Sequence, residues 1–189
     1  MPRSPVPPST ALKQLRAALV LLLTLVVTQT AAAQGPPHVR VIDRDLKALL
    51  ERGVMHSPTL NALVAEVEAT PLLVFVECSF RLPSGLGART NFVTSVGDTR
   101  FVRVAVDCSL TSRWQISLLA HELQHALEIG RHPEVHSVDA MELLYESIGF
   151  PTVRDGSTRH FETDAAIAVQ RAVNQELGDA RTTHGGMAY

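Results

Sequence analysis

Apolar positions follow three regimes along the chain: helical spacing, then short β-type runs, then helical spacing again. Between 41 and 53, Leu46, Leu49 and Leu50 fall on one helical face and Gly53 offers a stop, which predicts a short helix. Ser57-Pro58 is an N-cap followed by a first-turn proline, and Leu60, Leu63, Val64 and Val67 continue at helical spacing, so a second helix is expected there. Residues 72–80, 91–96 and 100–108 are rich in branched and aromatic residues and read as strands, the last two joined by the tight-turn dipeptide Gly97-Asp98. A long helix should run from a cap at Thr111 or Ser112 to Ile129 and stop at Gly130. Another should begin at Pro133 or Ser137 and end at Gly149, followed by a loop over 150–160. A closing helix is predicted over 161–177, stopped by Gly178, with 178–189 as a mobile tail. The class expected is α+β, with a small antiparallel sheet packed against the 112–129 helix and further C-terminal helices.

The N-terminal 1–33 stand apart. Arg3, Lys13 and Arg16 precede the apolar run AALVLLLTLVV at 17–27, and Ala31 and Ala33 then form an A-x-A arrangement. That order is the one a secretory signal peptide shows, and the run is about half the roughly 20 residues a membrane span needs. The expectation is a cleaved signal over 1–33, and one exported domain over 34–189 that is periplasmic or extracellular and has no membrane contact after cleavage.

Composition narrows the partners. With 19 acidic and 17 basic side chains, a net charge of −2 and no basic stripe, nucleic acid is not an expected partner. The chain has two cysteines, Cys78 and Cys108. In an exported protein an even pair suggests a disulfide, the competing state being two buried thiols. If the strands that carry them pair, the two sulfurs meet near strand ends. The sequence specifies no oligomeric state.

The chemistry concentrates in SLLAHELQHAL. His121 and His125 are four residues apart inside the predicted helix, so both imidazoles lie on one face, one turn apart, and can reach a shared ion. Glu122 points along a neighbouring direction, where it can reach a water on that ion without becoming a ligand. Residues 115–120 carry no charge, as suits a buried helix.

Catalytic zinc takes three protein ligands as a rule, so a third is required. Glu142 and Glu146 follow His125 at suitable distances, but on a helical wheel both fall toward solvent. Glu162, read as the second residue of the closing helix, falls in the middle of its apolar face. There a carboxylate needs a partner, because an isolated buried charge is very costly. Glu162 is therefore the first candidate, with Glu146 and Glu142 behind it. His132 and His136 read as loop and cap residues.

The motif His121-Glu122-Leu123-Gln124-His125, with uncharged flanks and a downstream glutamate, resembles the gluzincin type of zincin zinc metallopeptidase, in a small exported bacterial protein. The longer metzincin pattern is not met, because Glu128 and Arg131 occupy the positions of its glycine and third histidine. The resemblance implies a small sheet packed on the motif helix and a second helix that delivers the third ligand. It implies Zn2+ held by His121, His125 and Glu162, a peptide or protein substrate, and hydrolysis of peptide bonds through zinc-bound water with Glu122 as general base. His160 and Tyr145 are candidates for stabilising the oxyanion. Two other readings compete: a zinc-binding secreted domain without turnover, in a structural or interaction role, and a secreted domain whose motif is accidental.

Overall fold

The computed structural model describes residues 36–83, 85–155 and 158–185. The signal-peptide reading of 1–33 lies outside them. In the body that starts at Pro37, the elements run β1 (Val39–Val41), α1 (Arg44–His56), α2 (Pro58–Glu68), β2 (Leu72–Ser79), β3 (Ala88–Val96), β4 (Thr99–Asp107), α3 (Ser112–Arg131), α4 (Val138–Ile148), β5 (Phe150–Asp155), β6 (Thr158–Glu162) and α5 (Asp164–Gly185). The class is α+β, as expected.

The sheet is mixed rather than antiparallel. Its order is β1-β2-β4-β3, with β1 parallel to β2, β2 parallel to β4, and β3 antiparallel to β4. The reason lies in the connections. Parallel neighbours need a crossover, which α1 and α2 supply between β1 and β2. From β2 the chain passes to the edge as β3, then turns back into the gap as β4. Alternation along a strand reports its faces and says nothing of its neighbour's direction. The strand β1 was not anticipated, being three residues long.

Two of the predicted caps hold: the Ser57 side chain accepts from Leu60 N–H and the Ser137 side chain from Ala140 N–H, whereas Thr111 stands at the start of α3 without a side-chain hydrogen bond to it. Gly53 does not stop its helix. It sits inside α1 where a side chain would meet Ile116 and Leu60 at 2.9 Å, so it serves close packing. Gly178 likewise lies within α5, which runs on to Gly185 in place of the expected tail; 186–189 are outside the described residues. Residues 150–162, expected as a loop leading into a helix, form the antiparallel hairpin β5–β6.

Helix α3 is buried on nearly every side from Ile116 to Gly130. It packs against β3 and β4 on one side and against α2 and α5 on the other. Leu72, Val74, Val76, Val102, Val104, Leu119, Leu123 and Ile129 are fully enclosed at this junction, each worth about 1.5–3 kcal/mol by transfer from water. The C-terminal carbonyls of α3 are met by a buried arginine from β4. Arg100 donates to Ile129 O at 2.8 Å, Gly130 O at 3.0 Å and His132 O at 2.6 Å. Cys78 and Cys108 are bridged, with Cα atoms 5.5 Å apart, and the bond ties the end of β2 to the residue after β4. Among the described residues no helix is long and apolar enough to cross a membrane.

Candidate metal centre

A helix buried all round must find partners for its polar side chains. On α3 Ser117 donates to Arg113 O within the helix, and the other such side chains are His121, Glu122, Gln124, His125 and Glu128, each under one tenth exposed. His121 Nε2 and His125 Nε2 face each other at 3.1 Å, and Glu162 Oε2 lies 3.0 Å from His121 Nε2. One ligand atom from each of His121, His125 and Glu162 falls within 4.8 Å of the others. Ligand atoms at about 2.0–2.2 Å from a tetrahedral ion lie about 3.3 Å apart, so the cluster is close to the size of a cation site.

Glu162 reaches this position by a route other than the predicted one. It is the last residue of β6, not part of a helix. The Asp155-Gly156 dipeptide between two short runs was the available hairpin signal. Gly149 gives the strand room: a side-chain carbon there would lie 2.5 Å from Glu162 O. The rival carboxylates are engaged elsewhere. Glu142 pairs with Arg159 at 2.6 Å, and Glu146 pairs with the same guanidinium. His132 pairs with Glu134 beyond the end of α3, at 2.8 Å.

Glu122 accepts a hydrogen bond from Thr90 Oγ1 of β3 at 2.6 Å. Glu128 accepts from His125 Nδ1 at 2.9 Å and from Thr163 Oγ1 at 2.7 Å. Thr90, Glu128 and Thr163 were not singled out from sequence; the only hint was a glutamate three residues after a histidine on one helix. Three carboxylates, Glu122, Glu128 and Glu162, thus surround two imidazoles, and none of the three has an arginine or lysine partner among the described residues. Negative charge collected in a buried place calls for a cation. Without a metal ion, the proton on His121 serves. Burial alone would lower the His121 pKa, but the Glu162 hydrogen bond and the charges of Glu122 and Glu162 outweigh it and hold the pKa above the usual value. Burial raises Glu162 in turn, yet the His121 hydrogen bond and the charges of both histidines bring it below the ordinary carboxylate range. Two imidazoles and one carboxylate are a donor set that zinc accepts.

Tyr145 packs edge-on against His125, ring centroids 5.2 Å apart, and donates its hydroxyl hydrogen to His125 O at 3.0 Å. Burial, and then the Glu128 and Glu122 charges, push its pKa well up, so it stays neutral. Its single hydrogen is committed, which leaves none for an oxyanion. His160 Nε2 is enclosed without a hydrogen-bond partner. His160 and Glu162 project from the same face of β6, two residues apart.

A cavity of about 300 Å³ opens beside the cluster, lined by Glu122, His125, Glu162 and His160 and by β3 from Ala88 to Phe92. Asp107 N–H donates to Gly87 O at 2.8 Å, which sets the alternation of the β3–β4 ladder. The backbone groups of Ala88 and Thr90 therefore point away from β4, toward this cavity.

No family model matches the chain, and comparison with curated proteins and with solved structures yields no significant match.

Proposed function

We propose that this chain is an exported zinc-dependent peptidase of zincin type. The reading rests on the convergence of His121, His125 and Glu162, with Glu122 beside them facing the same cavity. A zinc ion held by those three residues supplies Lewis acidity and brings the pKa of a coordinated water toward 7. The chain's own groups do the rest. An extended peptide can add to the open edge of β3, hydrogen-bonding to the backbone of Ala88 and Thr90. Glu122, fixed by Thr90, takes the proton of the attacking water and returns it to the leaving amine. His160 Nε2 is the free polar group nearest in sequence to Glu162 for the developing oxyanion. The motif helix packed on a small sheet agrees with the zincin resemblance. A third ligand from a strand instead of a second helix departs from it. The disulfide suits an oxidising compartment, in keeping with export.

The second reading is a zinc-binding exported domain without turnover. What favours it is the hold of Thr90 on one Glu122 oxygen and the burial of that side chain. A Glu122→Gln variant separates the two. In a peptidase it keeps its zinc, measured by elemental analysis, and loses at least about 100-fold in cleavage of a peptide library. Hydrolysis that persists in the variant removes Glu122 from the mechanism. A wild-type protein that holds zinc and cleaves nothing in the library leaves the second reading.

A further inference from the structure

We propose that Glu128 and Thr163 are positioning residues of the metal centre, joining the His125 ring and the Glu162 strand into one hydrogen-bonded unit; the inference rests on the metal-binding reading above. Glu128 accepts from His125 Nδ1 at 2.9 Å, while His125 Nε2 faces His121. A carboxylate can only accept, and a neutral imidazole carries one N–H. The proton therefore sits on Nδ1, and the Nε2 lone pair is presented to the cation. Glu128 thus sets both the tautomer and the orientation of a ligand ring.

The other oxygen of Glu128 accepts from Thr163 Oγ1 at 2.7 Å, with Gln124 Nε2 at the limit of contact, 3.5 Å away. Thr163 Oγ1 in turn accepts Ala166 N–H at 3.1 Å and so caps α5. Thr163 is 3% exposed and follows directly on Glu162, the ligand from β6. One hydroxyl thus anchors α5, the end of the ligand strand and the carboxylate behind His125. Ligands 37 residues apart in the chain share a single buried network as a result. Loss of that hydroxyl leaves Glu128 with one strong partner and frees the strand end, so both ligands loosen together.

The test uses the full chain as wild type, Glu128→Gln, Thr163→Val and Thr163→Ser. Asp43→Ala is the control, since it removes the cap of α1, which Asp43 forms by accepting from Asp45 and Leu46 N–H. Zinc affinity is measured by competition with a chromophoric chelator. Thermal unfolding of the metal-free proteins is recorded in parallel. Glu128→Gln and Thr163→Val should lose about 10–100-fold in zinc affinity. Thr163→Ser, which keeps the hydroxyl, should bind like wild type. Asp43→Ala should lower the unfolding temperature and leave affinity unchanged. Nitrogen-resolved NMR of zinc-loaded wild type should show His125 protonated at Nδ1 and metal-bound through Nε2. Wild-type affinity in both Glu128→Gln and Thr163→Val overturns the proposal, as does a His125 bound through Nδ1. A wild-type protein that takes up no zinc sinks the metal-centre reading itself, a separate result.

Discussion

Replacing Gly149 by alanine should weaken metal binding although residue 149 is not one of the proposed ligands. The residue caps the end of α4 with φ −126° and ψ −167°, extended values open to any side chain, so backbone strain plays no part. The effect comes from contact. An alanine Cβ would lie 2.5 Å from Glu162 O, 3.1 Å from Tyr145 O and 3.3 Å from Thr163 Cγ2. Such a carbon essentially never sits closer than 3.0 Å to a neighbour, so the end of β6 must retreat by about 0.5 Å or more. Metal–ligand distances tolerate about 0.2 Å. The displaced backbone belongs to Glu162, the proposed third ligand, and the next residue carries the hydroxyl that donates to Glu128. Overpacking of this kind costs about 1–3 kcal/mol. If about 1.4 kcal/mol of it falls on the metal-bound form, zinc affinity drops tenfold. Chelator competition reads that drop directly. Thermal unfolding at fixed free zinc reads it again, as a smaller metal-induced stabilisation. A Gly149→Ala protein with wild-type zinc affinity and an unchanged response to zinc would show that this close approach does not place Glu162.

Arg100→Met strands the carbonyls of Ile129, Gly130 and His132 at the end of the motif helix; at about 1–3 kcal/mol for each unmet buried group and with partial relaxation, denaturant unfolding should show a loss of about 3–5 kcal/mol, and a loss under 1 kcal/mol would refute the capping role. His121 has a raised pKa in the metal-free protein, so its stabilising proton is present below the ordinary histidine range and leaves as pH rises through the raised value, whereas lowered Glu162 contributes above the ordinary glutamate range and ceases to as pH falls through its own value. Zinc must displace that proton, so apparent affinity should fall about tenfold per pH unit below the His121 pKa, and a pH-independent affinity would contradict the pairing. Changing both Cys78 and Cys108 to serine opens a cross-link of separation 30, which should cost about 3 kcal/mol by chain entropy; an unchanged unfolding midpoint would place the stability elsewhere.

Much of the centre was legible because it is local. Two imidazoles and a glutamate within one turn of helix are placed by the 3.6-residue period alone, and the apolar runs around them marked the helix as buried. Ser57 and Ser137 announced their helices by capping chemistry that acts over three residues. Glu162 was singled out from a wheel drawn on the wrong element. The side chain does turn inward, but from the end of a strand whose hairpin was read as loop.

The chain's own order of residues determined the α+β class, the pair of facing histidines, the glutamate beside the first of them and the helix on which they sit. It also supplied two cysteines whose strands, once paired, set them 5.5 Å apart. Tertiary structure alone decided the parallel direction of β2 against β4, the arrival of Glu162 beside His121, and the link from Thr163 through Glu128 to His125. The physical reason is range. Helical period and capping act within a few residues, whereas a carboxylate that returns 37 residues later is placed by packing of a whole hairpin. Gly149 leaves it room there, and Arg159, near the turn of the hairpin, pairs with Glu142 of α4.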